Sequence, residues 1–155
     1  MPMTAGQAQA APSAGTITCS PPSSGYSPSN ARHVTAHFCL KYTGTGDYWA
    51  YITGYSRHRT NLVWSNDTNL KYNNAWGIKG GAQCSQSRTA QNSPDGNVQA
   101  GCPQVITLKP GSYSVQYVLT RLESAEDTGW GDGQQVASAG TTANFRIAAD
   151  GTVSF

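Results

Sequence analysis

Charge is scarce in this chain. Of its 155 residues only 12% are Asp, Glu, Lys or Arg, and the formal net charge is +2. No basic run occurs, so the sequence lacks the footprint with which proteins neutralise phosphates, and nucleic acid is not an expected partner. Long apolar runs are missing too. None approaches the roughly 20 residues that cross a bilayer, so membrane insertion is not expected. No C-x-x-C pair opens a zinc site, the cysteine spacings are wide for one, and no metal or other cofactor is expected. No G-x-S-x-G elbow marks a serine hydrolase. The three histidines are His33, His37 and His58, and none has a carboxylate at a spacing that would orient it as a general base. His58 lies between Arg57 and Arg59. Paired carboxylates for glycoside cleavage would have to come from distant parts of the chain. The chain is therefore read as a non-enzyme.

What the chain does have is Ser, Thr, Asn, Gln and Gly in bulk, a composition that suits an exposed β-protein with many turns. Four cysteines are present, Cys19, Cys39, Cys84 and Cys102. An even count in an exported chain implies two disulfides. Of three possible connectivities, Cys19–Cys39 with Cys84–Cys102 closes two local loops and is the one expected. The stretch "AGQAQAAPSAG" carries Ala8-Gln9-Ala10, the A-x-A pattern that precedes a signal-peptidase cut. Residues 1–10 are then a signal-peptide remnant or a disordered tail, and 11–155 a single domain. The protein is expected to be secreted.

Strands follow from alternation. In "RHVTAHFCLKY" the positions Val34, Ala36, Phe38, Leu40 and Tyr42 are apolar, and His33, Thr35, His37 and Lys41 between them are polar. His33 and His37 then share one face but lie about 13 Å apart along the strand, too far to hold one metal ion. Cys39 falls on the polar side, which requires an outer-face disulfide or a bulge. The same period puts Tyr113, Val115, Tyr117 and Leu119 on one face of "SYSVQYVL". "VITLKPG" runs into a Pro110-Gly111 turn, and Asp150-Gly151 makes a hairpin turn between Phe145–Ile147 and Val153–Phe155. Further strands are expected near 16–20, 47–55, 60–65, 70–78, 82–87 and 98–108. No helical period, repeat or linker interrupts them. Many short strands with frequent turns imply a single antiparallel β-sandwich, immunoglobulin-like, with a partly closed barrel as the alternative.

Aromatic residues supply the candidate binding groups. "DYWAYITGY" sets Trp49, Tyr51 and Tyr55 on one face and Tyr48 and Ile52 on the other. If the first face is outside, its rings form a strip that stacks on sugars or anchors a protein; if inside, Trp49 is the buried tryptophan of a sandwich. Trp76, in "YNNAWGIKGG", is a second candidate anchor. The uncharged arm with Thr16, Ile17 and Thr18 is a candidate strand for donation to a partner's sheet. Three loops stand out. "SPPSSGYSPSN" at 20–30 is expected to be mobile or laid along the surface. "SRTAQNSPDGN" at 87–97 falls inside the second disulfide loop. "ESAEDTGWGDG" at 123–133 groups Glu123, Glu126, Asp127 and Asp132, which either bind calcium or form a solvated acidic turn. Asn66-Asp67-Thr68 fits a glycosylation acceptor.

The A-x-A tail, "GTITCS", a second cysteine about twenty residues later and the closing "FRIAADGTVSF" together resemble small exported β-sandwich proteins of actinobacteria. That resemblance implies location and fold, and assigns no residue a role. The expected function is binding of another secreted or cell-surface protein, as adaptor, assembly subunit or inhibitor. The alternatives are a carbohydrate-binding module using the Trp/Tyr face, and a small secreted enzyme or toxin.

Overall fold

The computed structural model describes residues 11–66, 70–90, 97–122 and 136–155, which form eleven strands and no helix. The expected tail at 1–10, part of the 87–97 loop, Asp67 and Thr68 of the acceptor motif and the acidic loop at 123–133 lie outside the described residues.

Two antiparallel sheets face each other as a sandwich. The first is built on one long hairpin, β3 (Arg32–Tyr42) and β4 (Asp47–Thr60). β1 (Ile17–Cys19) and β2 (Ser23–Tyr26) share the outer edge of β3. β5 (Val63–Asn66) and β8 (Asn97–Thr107) share the outer edge of β4. The second sheet runs β11 (Val153–Ser154), β10 (Ala137–Ile147), β9 (Gly111–Arg121), β6 (Leu70–Ile78) and β7 (Gln83–Ala90). The sheets do not close into a barrel. β2 was not expected as a strand, because "SSGY" has neither alternation nor bulk; it forms by pairing Ser23–Tyr26 with Ala36–His33. The first half of β10 was missed for the same reason: its core-facing side chains are only Ala137 and Ala139.

The core is the apolar half of each alternation. Val34, Ala36, Phe38, Leu40, Tyr48, Ala50 and Ile52 from the first sheet meet Tyr72, Trp76, Val115, Tyr117, Leu119, Phe145 and Ile147 from the second. Phe38 sits at the centre, its ring centroid 5.4 Å from Trp76, 6.4 Å from Tyr117 and 6.3 Å from Phe145. Trp76, expected as a surface anchor, is therefore corrected to a core residue. It is 2% exposed, because the strand period turns it inward, and its indole N–H donates to the Cys102 carbonyl at 2.9 Å. A buried tryptophan beside a disulfide that crosses between sheets is a feature shared with immunoglobulin domains.

Each disulfide has a distinct task. Cys19–Cys39 joins directly opposed residues of β1 and β3 on the outer face, which resolves the position of Cys39 on the polar side of its strand. Cys84–Cys102 joins β7 of the second sheet to β8 of the first. Cys102 reaches inward because β8 carries an extra residue opposite Ala50–Ile52, and Cys102 itself adopts φ 52°. A bulge of this kind re-aims a side chain. Its freed N–H donates to Gln86 Oε1 at 2.8 Å. On the opposite flank β2 lies against β10, where the Gly140 N–H donates to Ser23 Oγ at 3.0 Å. There Gly25 passes so close to the Ser138 carbonyl that a Cβ would collide with it.

Candidate functional site

The two outer faces of the sandwich differ sharply in chemistry. On the second sheet the outward positions include Ser112, Ser114, Gln116, Ser138, Thr142, Asn144 and the charged Arg146. The small side chains Ala75 and Gly77 leave a shallow groove of about 710 Å³ there, bordered by Gln83, Ser85, Gln116 and Val118. No outward position of this sheet carries an aromatic ring among the described residues.

The first sheet is the opposite case. Among the described residues, the well-exposed large apolar side chains Ile17, Tyr26, Trp49, Trp64 and Val105 lie on its outer face and Leu62 on its β4–β5 turn, while Val63, opposite Thr60, points to the reverse side of β5. Register explains the grouping. At one end Ile17, Lys41, Trp49 and Val105 form a single cross-strand row over β1, β3, β4 and β8. Trp49 is 46% exposed there, so its strip faces outward, and Tyr51 and Tyr55 follow it half-buried on the same face. Tyr51's hydroxyl is held above the usual phenol range by burial.

At the other end the rings converge. Tyr26 of β2 lies directly opposite His33 of β3, which lies opposite Arg57 of β4. The Tyr26 and His33 centroids are 4.5 Å apart, and Trp64 meets both edge-on at 6.2 Å. Tyr55 also approaches His33 edge-on at 6.2 Å. Arg57 stacks over Tyr55 at 5.0 Å, and Arg59 over Trp64 at 5.6 Å. Such cation–π pairs hold a guanidinium flat on a ring while its N–H donors stay available. His33 has its pKa lowered, first by burial and then by the Arg57 charge. His37 sits farther along the same face, its Nδ1 2.9 Å from the Ser20 carbonyl. Neither histidine is fully exposed, and among the described residues no group of three or more His, Cys, Asp and Glu side chains converges on a metal position.

β4 turns into β5 through two residues, Asn61 and Leu62, both with positive φ (51° and 69°) between the paired Thr60 and Val63. Primed turns of this length match the strand twist and favour Asn-Gly. Leucine at the second position is unusual, and its side chain is 83% exposed.

The structure thus brings Trp49, Tyr51 and Tyr55 onto one outer face and removes Trp76 from it. Ile17 joins the same face, but Thr16, Ile17 and Thr18 are not a loose arm. Tyr42 N–H donates to the Thr16 carbonyl, Gly15 N–H donates to the Tyr42 carbonyl, and β1 is stapled at Cys19. What this segment presents is the outer edge of a bonded strand. Sequence reasoning missed Tyr26, His33, Arg57, Arg59, Leu62 and Trp64. The continued alternation of Arg57 and Arg59 beyond Tyr55 was a usable signal; the meeting of β2 with β5 across β3 and β4 was not. Compared with known proteins, the chain matches no family model, no curated protein and no solved structure.

Proposed function

We propose that this is a secreted, non-catalytic binding protein that engages another protein through the outer face of its first sheet. It belongs by this reading with the small exported actinobacterial β-sandwiches it resembles. The observation that carries the proposal is the grouping of exposed apolar side chains: among the described residues all but Val63 lie on that face or its turn, and none lies on the outer face of the second sheet. Monomeric soluble proteins seldom leave a large contiguous apolar patch uncovered, and such patches mark interaction sites. The face is rich in Trp, Tyr and Arg, the residue types that dominate binding energy at protein interfaces. From Trp49 to Arg59 it runs about 33 Å at roughly 3.3 Å per residue, long enough for a standard interface. Two disulfides suit an oxidising compartment.

A glycan ligand is the second reading, favoured by the outward Trp49. The composition of the patch weighs against it. Ile17, Leu62 and Val105 are aliphatic and offer a sugar no ring to stack on. The Tyr26, His33 and Trp64 rings meet at angles of 33° to 72° instead of lying as one flat platform.

The test is a glycan array run beside a screen of secreted proteins, each with wild type, Trp49→Ala and Trp64→Ala. The expected result is an identified protein ligand whose purified form binds either variant about thirtyfold more weakly, the equivalent of roughly 2 kcal/mol. Trp49→Ala should keep wild-type stability within about 0.5 kcal/mol, and Trp64→Ala, which loses the Tyr26, His33 and Arg59 contacts, should cost about 1 kcal/mol and stay folded. Sugar binding that disappears with Trp49, and no protein ligand, would replace this reading with the carbohydrate one.

A further inference from the structure

The β4–β5 hairpin combines three features that its folding does not require. Leu62 holds a left-handed backbone conformation that glycine adopts without steric cost, and it points an aliphatic side chain into solvent. Backbone outliers of this sort cluster where function maintains them. Behind the tip Trp64 continues the exposed apolar surface on the face that carries Arg59, and Val63 is exposed on the reverse of the hairpin. Arg57 and Arg59 sit over the Tyr55 and Trp64 rings, with no hydrogen bond or ion pair to either guanidinium among the described residues. The described carboxylates are elsewhere. Asp47 sits at the far end of β4, accepting a hydrogen bond from Thr107, and Asp150 is in the β10–β11 turn.

We infer that the β4–β5 hairpin is a recognition finger for an acidic protein segment that also carries apolar side chains. This rests on the protein-binding reading above and names the partner's chemistry. The two guanidiniums take the carboxylates, and stacking holds their forks oriented before contact. Leu62 and Trp64 cover the apolar side chains between them. Tyr26 and His33 back the Trp64 ring and fix its orientation. A segment of opposite charge is selected because a basic one meets two positive charges on the same strand face that no described carboxylate pairs with.

A random dodecapeptide library displayed on phage, selected on the immobilised wild-type protein, tests this. Enriched peptides should combine Asp or Glu with Leu, Phe or Trp. As synthetic peptides they should bind about tenfold or more weakly to the Arg57→Gln/Arg59→Gln variant and lose affinity as salt rises. Leu62→Gly should also bind about tenfold more weakly while its Tm stays level or rises by up to about 3 °C, because glycine relieves the backbone at that position. That opposition of affinity and stability is the signature sought. Neutral or basic peptides that bind through this hairpin would overturn the acidic preference and leave protein binding standing. Undiminished affinity in Leu62→Gly would remove the finger from the mechanism. No peptide enrichment, with heparin or another glycan bound instead, would remove both readings. Self-association in sedimentation, abolished by the same variants, would assign the face to a second copy of the chain and overturn the proposal.

Discussion

His33 shows how one outer-face residue changes character through its neighbours. As a residue on a polar strand face it is an ordinary wet histidine. Ringed by Tyr26, Tyr55 and Trp64 and facing Arg57, it is held neutral. The folded protein therefore binds this proton less readily than the unfolded chain. Stability from this group is complete above its ordinary value, 6.5, and declines as pH falls from there through the lower folded value. Denaturant midpoints at about pH 7.5 and about pH 5.5 should show a larger acid loss in wild type than in His33→Gln. Equal losses in the two proteins would show that His33 contributes nothing to the pH dependence.

At the scale of elements, the short strands settle matters that the long ones leave open. β3 and β4 are joined by a short turn and pair along the whole of β3. β2 is what brings Tyr26 to the aromatic cluster, and it is also what draws the first sheet to β10. Gly25 is required there because the Ser138 carbonyl occupies the space of a side chain. Gly25→Ala should cost roughly 1–3 kcal/mol, the usual range for forcing a methyl into packed structure. It should also quicken hydrogen exchange along β2 and the first half of β10. Full stability in this variant would mean that β2 lies farther from β10 than described. β5 acts similarly on the other flank: four residues place Trp64 under Arg59.

For the whole molecule, the two flanks of the sandwich are closed by different means. One is held by backbone proximity at β2 and β10, the other by Cys84–Cys102 across β7 and β8. The disulfides enclose loops of similar length, with sequence separations of 20 and 18, so the chain-entropy model assigns each about 3 kcal/mol. Removing either pair as a Cys→Ala double variant should lower Tm by roughly 6–12 °C. The consequences should differ in location. Loss of Cys84–Cys102 should raise hydrogen exchange in both sheets along one flank, whereas loss of Cys19–Cys39 should raise it chiefly in β1. Identical exchange patterns in the two variants would contradict this division of roles.

Alternation by itself determined the long strands, since a period of two has one buried face and Arg32–Tyr42 and Leu70–Ile78 follow it closely. It also determined that Trp49, Tyr51 and Tyr55 share a face, and the local spacing of the cysteines pointed to both disulfides. Which face is outside was beyond it. Trp49 and Trp76 sit in similar aromatic strands, yet one is exposed and the other is packed on Phe38. That choice depends on which side of each sheet meets the other, a property of no single strand. The candidate site was least legible of all. Tyr26, His33, Arg57, Arg59 and Trp64 come from four strands, and cross-strand register alone makes them neighbours. Two of those strands, β2 and β5, have four residues each and draw their structure from the partners they pair with.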